Sequence, residues 1–322
     1  MNDLDEYDVI VIGGSAAGLS AALVLTRARR RVAVIDSGEP RNAPAAHMQG
    51  FLSRDGMPPS ELVAAGREEV QRYGGILIED VATEVLRHDG SPFLVLLATG
   101  ATMSARRVLL ATGLRDELPD VPGVRERWGR DLLHCPYCHG YEVRDQPLGV
   151  LGRGPETVQH ALIIRQWSPD VVLFTHGGDL TDSEQSQLRA RGIDVIVAPV
   201  AGLLVEDDEL RGVELEDGRI IARSAVFVRP RFESRNELLT GLGCLTGDNG
   251  WPVIDPTGAT SVPGVWVAGN AANPRAQVIT AAGEGSTAAI AINNHLVDED
   301  VRRAVLDTST GDDRVNDEGA RP

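Results

Sequence analysis

Cys135-Pro136-Tyr137-Cys138-His139 sets two thiols two residues apart at the opening of a short helical segment, the spacing of a reversible dithiol/disulfide couple. A helix N-terminus and the neighbouring imidazoles of His134 and His139 are expected to stabilise a thiolate, the form of cysteine that attacks a disulfide. Two blander uses of such a pair compete with redox exchange. A zinc site needs four ligands, and the only other cysteine, Cys244, lies in the apolar stretch Leu242-Gly243-Cys244-Leu245, where it reads as a small buried hydrophobe; no metal is expected. A permanent disulfide is rare in the cytoplasm, where a chain with three cysteines and no evident secretory leader is expected to reside. Thiol–disulfide exchange is therefore the chemistry these residues predict.

The elements that must position this pair are legible upstream. Tyr7-Asp8-Val9-Ile10-Val11-Ile12 is a β-branched strand, a glycine-rich turn follows, and an apolar helix spans 16–26 before a second strand, Arg31-Val32-Ala33-Val34-Ile35-Asp36. This is a βαβ unit with Gly13-Gly14-Ser15-Ala16-Ala17-Gly18 at its first turn and an acid, Asp36, ending its second strand, the arrangement that binds a dinucleotide. Gly13 permits the tight turn, Gly18 lets the helix approach the sheet, and the helix N-terminus offers amides to a pyrophosphate. Ser15 stands where a second glycine is usual. Asp36 suits a ribose hydroxyl and disfavours a 2′-phosphate, so FAD or NAD is expected here rather than NADP.

A second βαβ candidate begins at Leu148-Gly149-Val150-Leu151-Gly152-Arg153-Gly154-Pro155, with a helix through 159–167 and a strand over 170–174. Its nucleotide features decay: Thr157 occupies the third small position, Pro155 removes an amide donor, and Thr175-His176-Gly177-Gly178 supplies neither an acid for ribose nor arginines for a 2′-phosphate. Strands recur at 225–228 and 265–268, a long apolar helix is expected over 279–296, and 307–322 reads as a polar, disordered tail.

Length and composition fit two domains of a soluble α/β protein: 322 residues, 42% hydrophobic, 35 glycines, and no apolar run of membrane-spanning length. The formal charge of -16 argues against a nucleic acid or an acidic partner. All 31 positive residues are arginine, which rules out lysine-based covalent catalysis.

These motifs, in this order, resemble the low-molecular-weight thioredoxin reductase family of flavoproteins over nearly the whole chain. The resemblance rests on Val11-Ile12-Gly13-Gly14-Ser15-Ala16-Ala17-Gly18-Leu19, on Leu109-Leu110-Ala111-Thr112-Gly113, on the placement of the two cysteines, and on Gly269-Asn270 with Ala276-Gln277-Val278-Ile279-Thr280-Ala281-Ala282-Gly283. It implies an α/β fold of two Rossmann-like dinucleotide-binding domains, the second inserted in the first. The FAD-binding domain would be 1–116 plus 249–300, the NAD(P)-like domain with the cysteine pair 117–248, and 301–322 an acidic tail, disordered at its end. By the same resemblance Gly13, Ser15, Ala16 and Asp36 would hold the pyrophosphate and adenosine end of FAD and Val81 the adenine. Thr112 and Gly113 would lie along the nucleotide, and Asn270, Gln277 and Val278 would face the ribityl chain and isoalloxazine. Asn270 replaces the family's usual aspartate, and a homodimer is implied.

Two departures refine the function. In the reductases an aspartate that donates a proton follows the second cysteine; here His139 follows Cys138, and an imidazole near its ordinary pKa can take a proton from an incoming thiol. The nicotinamide turn is also decayed. Both features are similar to the dithiol oxidase branch, which includes the gliotoxin and holomycin oxidases and uses FAD and dioxygen. The leading expectation is a cytoplasmic FAD-dependent dithiol oxidase that closes a disulfide in a small-molecule dithiol and releases hydrogen peroxide. Cys135, Cys138 and His139 would be its catalytic residues, with Cys135 meeting substrate and Cys138 next to the flavin. The alternatives are an NADPH-dependent thioredoxin or disulfide reductase and a flavin-binding redox sensor without turnover.

Overall fold

The β-branched run Glu6–Ile12 becomes the middle of a seven-stranded sheet, because its residues bury both faces and leave no polar side to the strand beyond Asp8. Val32–Asp36 and Thr102–Leu110 pair with it in parallel on either side, and Ile76–Glu79 extends the sheet beyond Val32–Asp36. Along the free edge of Thr102–Leu110, the antiparallel strand Phe93–Leu97 pairs with the first half and the parallel strand Val265–Val267 with the second. The computed structural model describes residues 6–88 and 91–318. It divides into two compact units, one of Met1–Pro40, Leu62–Leu114 and Ser234–Pro322, the other of Arg41–Glu61 and Arg115–Glu233.

In the first unit, helices Ala16–Arg27 and Val278–Glu318 cover one face of the sheet. Ala21 and Ala22 on one helix and Ala288 and Ala289 on the other are fully buried, small side chains that allow two helix backbones to approach closely over Val9, Val11 and Leu109. The opposite face is closed by Phe93, Val95, Leu110 and Val267, with Leu239 and Cys244 packed in from the segment after Ser234. That packing places 234–248 in the first unit, where the sequence predicted a return only at 249.

Charge fixes the last helix. Arg107, 6% exposed, donates to His295 Nδ1 at 2.9 Å and to Glu299, while Arg106 reaches Asp300 at 2.5 Å and Asp8 at 3.0 Å, and Arg30 reaches Asp300 at 2.9 Å. The helix expected over 279–296 therefore has an anchor beyond its apolar part, and it continues to Glu318. The tail read from residue 307 is corrected accordingly: extending a formed helix costs far less than starting one, so the missing hydrophobic period did not end it. Residues 319–322 of that tail lie outside the described residues.

The second unit holds a five-stranded parallel sheet in the order Asp194–Ile196, Val171–Phe174, Leu148–Leu151, Ala225–Val228, Leu132–Leu133. An antiparallel sheet of Val200–Glu206, Glu209–Leu215 and Ile220–Ala222 accompanies it. The helix of the second βαβ unit is Pro155–Ile164, starting four residues earlier than the sequence reading because Pro155 is favoured at a first helical position. Segment Arg41–Glu61 packs in this unit: the Arg41 guanidinium is bidentate on Asp116, both contacts 2.6 Å, and Pro44 lies against Gly129. Among the described residues no helix is long and apolar enough to cross a membrane.

Candidate active site

All three residues expected to do the redox chemistry lie in the second unit. Strand Leu132–Leu133 ends, His134 follows, and Cys135 caps the single helical turn Pro136–His139 with extended dihedrals of -89° and 109°. Proline at the first helical position costs no hydrogen bond there. The amides of Cys138 and His139 both donate to the Cys135 carbonyl at 3.1 Å, so the turn closes on itself and brings the two cysteines into a disulfide, their Cα atoms 5.2 Å apart.

Electrostatics around the pair differ from the simplest sequence reading in two ways. One turn of helix carries little of the dipole that a long helix would offer a thiolate. The flanking imidazoles are not cations at neutral pH: burial pushes both His134 and His139 below their ordinary pKa, only partly opposed at His134 by the Val228 carbonyl and at His139 by Glu142. Any support that these imidazoles lend a thiolate is therefore weighted towards hydrogen bonding rather than full positive charge, and a neutral His139 is the form that can accept a proton. His139 opens on a cavity of about 480 Å³, walled by Ala43, Pro44, Ala45, Leu133 and Val143 with His47, Gln49, Arg130 and Glu142 among its polar groups. Tyr137, two-thirds exposed, sets its ring edge-on to Trp167 at 5.4 Å.

Behind the pair, His134 belongs to a partly buried cluster whose deepest member, His160, the sequence did not single out. His134 Nδ1 donates to the Val228 carbonyl at 3.2 Å, Phe232 meets the His134 ring edge-on at 5.1 Å, and the Arg41 guanidinium lies 5.1 Å from the centre of the Phe232 ring. His160, from the helix Pro155–Ile164, places Nε2 2.9 Å from the His134 carbonyl. Of the arginines near Phe232, Arg231 pairs with Glu117 and Glu233, and Arg229 with Glu156. Cys244 is the buried hydrophobe expected, its thiol 3.5 Å from Thr260 Oγ1.

The ten residues expected to hold a dinucleotide all fall in the first unit, and they fit such a group. Gly13 has φ +107°, and a Cβ there would run into the Ala111 carbonyl; a Cβ on Gly18 would run into the Gly13 carbonyl. Only glycine lets strand, turn and helix close this tightly. Ser15 caps the helix Ala16–Arg27 without a side-chain hydrogen bond, and no acid sits in the first turn, so no side chain of the turn neutralises its positive end. Asp36 accepts from the Gly14 amide and, at 2.8 Å, from the Gly38 amide, which folds its carboxylate against the turn. Val81, half exposed, is fixed by its backbone: its amide donates to Asp80 at 2.7 Å and its carbonyl accepts from Ala98 at 2.9 Å.

Thr112 donates to the Arg235 carbonyl at 3.2 Å, and Gly113 (φ +71°) has open space where a side chain would be. Asn270 uses its amide nitrogen to hold the carbonyls of Asn273 and Ala276 at 2.9 and 3.0 Å, so it shapes the loop that leads to Gln277 and Val278. Sequence reasoning missed Glu284. Its carboxylate accepts from the Gly269 amide at 2.9 Å and from Asn273 at 2.7 Å, pinning the same loop, and its position one residue past the closing motif was the available signal.

The second βαβ turn has the opposite character. Glu156 stands in the first turn of the helix Pro155–Ile164, Pro155 removes one amide, and Arg153 is folded back on the His176 carbonyl at 2.9 and 2.5 Å. Thr157 fills the space beside Gly152, its hydroxyl donating to the Arg153 carbonyl at 2.9 Å; a Cβ on Gly152 would lie 2.8 Å from it. His176 accepts from the Val200 amide at 2.9 Å, and Thr175 donates to the Gly178 carbonyl at 2.7 Å. The Arg153 guanidinium, the Thr157 hydroxyl and the His176 ring are thus all engaged within the turn.

Two Rossmann-like units, one with an open dinucleotide turn and one carrying a dithiol pair, define a flavin-dependent disulfide oxidoreductase. The chain belongs to the pyridine nucleotide-disulphide oxidoreductase family, whose sequence model matches residues 7–285, and FAD is its cofactor. It is similar to thioredoxin reductase sirT of Leptosphaeria maculans, with 33% identity over 89% of this chain and 93% of that protein. Thioredoxin reductase tcpT of Claviceps purpurea is 34% identical over 84% of this chain and 88% of its own. Among solved structures, that of HlmI superposes with a TM-score of 0.93 at 59% identity, covering 95% of this chain and 97% of HlmI. The putative thioredoxin reductase TrxB of Bacillus anthracis gives 0.87 at 36% identity over 91% of this chain and 99% of its own.

Proposed function

We propose that this protein is an FAD-dependent dithiol oxidase that closes a disulfide in a small-molecule dithiol, with dioxygen as the electron acceptor and hydrogen peroxide as the product. The observation that carries this reading is the second βαβ turn. A carboxylate at Glu156, a proline in place of an amide and an arginine committed to the His176 carbonyl are unsuited to a pyrophosphate or a 2′-phosphate, which leaves a thiol as the electron donor.

In the proposed reaction His139 takes the proton of one substrate thiol, and the resulting thiolate attacks the Cys135–Cys138 disulfide at Cys135, releasing Cys138 as thiolate. The second substrate thiol then attacks the mixed disulfide and releases Cys135; the substrate leaves oxidised by two electrons and the enzyme pair is left as a dithiol. FAD, when bound, is the group that takes those two electrons and passes them to dioxygen. Gly13, Ser15, Ala16, Asp36, Val81, Thr112, Gly113, Asn270, Gln277 and Val278 are the residues proposed to hold it. A cytoplasmic homodimer completes the proposal.

The names of the relatives sirT and tcpT favour a second reading, an NADPH-dependent thioredoxin reductase. Anaerobic mixing separates the two. Bleaching of the flavin band by a dithiol but not by NADPH or NADH, followed in air by stoichiometric peroxide, is the expected result; rapid bleaching by NADPH overturns it.

A further inference from the structure

The helix Pro155–Ile164 has lost the features that would present it to a nucleotide, yet it keeps a buried polar side chain aimed at the redox turn. His160 is 6% exposed, stands edge-on to Phe227 at 6.1 Å, and has its Nε2 2.9 Å from the His134 carbonyl. Burial holds its pKa down to about 4, with His134 adding to the effect, so Nε2 carries the proton that it donates and the ring is neutral. Nδ1 is buried with no hydrogen-bond partner among the described residues, so the His134 carbonyl is the single polar tie of this ring there.

The peptide it holds lies just past the end of a short ladder, with the His134 ring edge-on to Phe232. Strand Leu132–Leu133 is two residues long, and its ladder to Ala225–Val228 ends at Leu133 opposite Phe227. Beyond it, the junction into Cys135 is fixed by His134 Nδ1 on the Val228 carbonyl and by His160 on the His134 carbonyl. We infer that His160 is a positioning residue for the redox pair, holding the His134–Cys135 junction so that the two thiols stay within reach of each other when the disulfide opens. A loosened junction would let reduced Cys135 range over more positions while the disulfide still demands one, which favours the dithiol. This inference rests on the redox role proposed for the pair but not on the identity of the electron acceptor or substrate.

The test uses the flavin-loaded protein equilibrated anaerobically with mixtures of reduced and oxidised dithiothreitol, the free and bonded thiols being counted by alkylation and mass. Disulfide plus reduced dithiothreitol gives enzyme dithiol plus oxidised dithiothreitol, and the flavin band counts the electrons that pass on to FAD, so thiol and flavin readings together give the constant of the cysteine couple. His160→Gln can set an amide nitrogen where Nε2 stands; His160→Asn is shorter and reaches only the Nδ1 position. His160→Asn is expected to shift the equilibrium towards the dithiol by about two- to tenfold, the range of one net hydrogen bond, and His160→Gln to restore it. Equal constants in wild type and a folded His160→Asn overturn the inference, as do equal shifts in both variants. If wild type exchanges with dithiothreitol but releases no peroxide with any dithiol, the oxidase reading fails while this one stands.

Discussion

At the scale of single residues, the proposed reaction divides its chemistry between the disulfide and the imidazole beside it. Cys138→Ser should abolish dithiol-driven peroxide release while the protein stays yellow, because all ten residues proposed to hold FAD lie in the first unit and Cys138 in the second. Colourless Cys138→Ser protein would show that this cysteine supports the fold instead. His139 makes a finer prediction. In the proposed reaction its neutral form is the proton acceptor, and burial lowers its pKa from 6.5, so the acid limb of the pH–rate profile for disulfide exchange should lie below pH 6.5. His139→Gln is expected to lose about 10²- to 10⁴-fold in rate at pH 7 and to lose that limb with it. A limb unchanged in His139→Gln would assign the proton to another group. The cysteines and His139 were legible because their spacing is itself a chemical statement, whereas Glu284 and His160 were not: a carboxylate or imidazole in a helix acquires its meaning only from a carbonyl or amide that folding brings to it.

At the scale of elements, the two βαβ units are a natural contrast, since both have a strand, a glycine turn and a helix but only the first leaves the helix N-terminus without an acid. Gly13→Ala should therefore yield protein that folds but purifies without flavin. The added Cβ meets the Ala111 carbonyl in a residue already at φ +107°, and strain of about 1–3 kcal/mol falls on the turn that would cradle the pyrophosphate. The ratio of the flavin band to the protein band reads the outcome, and full flavin content in Gly13→Ala would move the pyrophosphate site elsewhere. Strands such as Glu6–Ile12 and Val32–Asp36 could be read directly because a buried parallel strand is a run of β-branched residues. The membership of Arg41–Glu61 in the second unit could not, because it depends on Arg41 meeting Asp116 some 75 residues later. The end of the last helix escaped for a similar reason: its tethers, Arg30, Arg106 and Arg107, belong to elements far back in the chain.

At the scale of the whole molecule, the proposed oxidase would have charge select among thiols before any of them reaches Cys135. A formal charge of -16 on 322 residues repels anions at long range, and the arginines that could counter it locally are largely committed: Arg130, on the wall of the cavity beside His139, is paired with Asp208, Arg231 with Glu117 and Glu233, and Arg229 with Glu156. Salt shortens the reach of that field from roughly 30 Å at 0.01 M to about 8 Å at physiological ionic strength. The value of kcat/KM for an anionic dithiol such as dihydrolipoate should consequently rise as salt is added, whereas that for the neutral dithiothreitol should stay level over the same range. Both follow from steady-state peroxide release at fixed pH. A rate with the anionic dithiol that falls with salt would mean that some arginines form a cationic entrance to the redox turn, and the preference for an uncharged substrate would have to be given up.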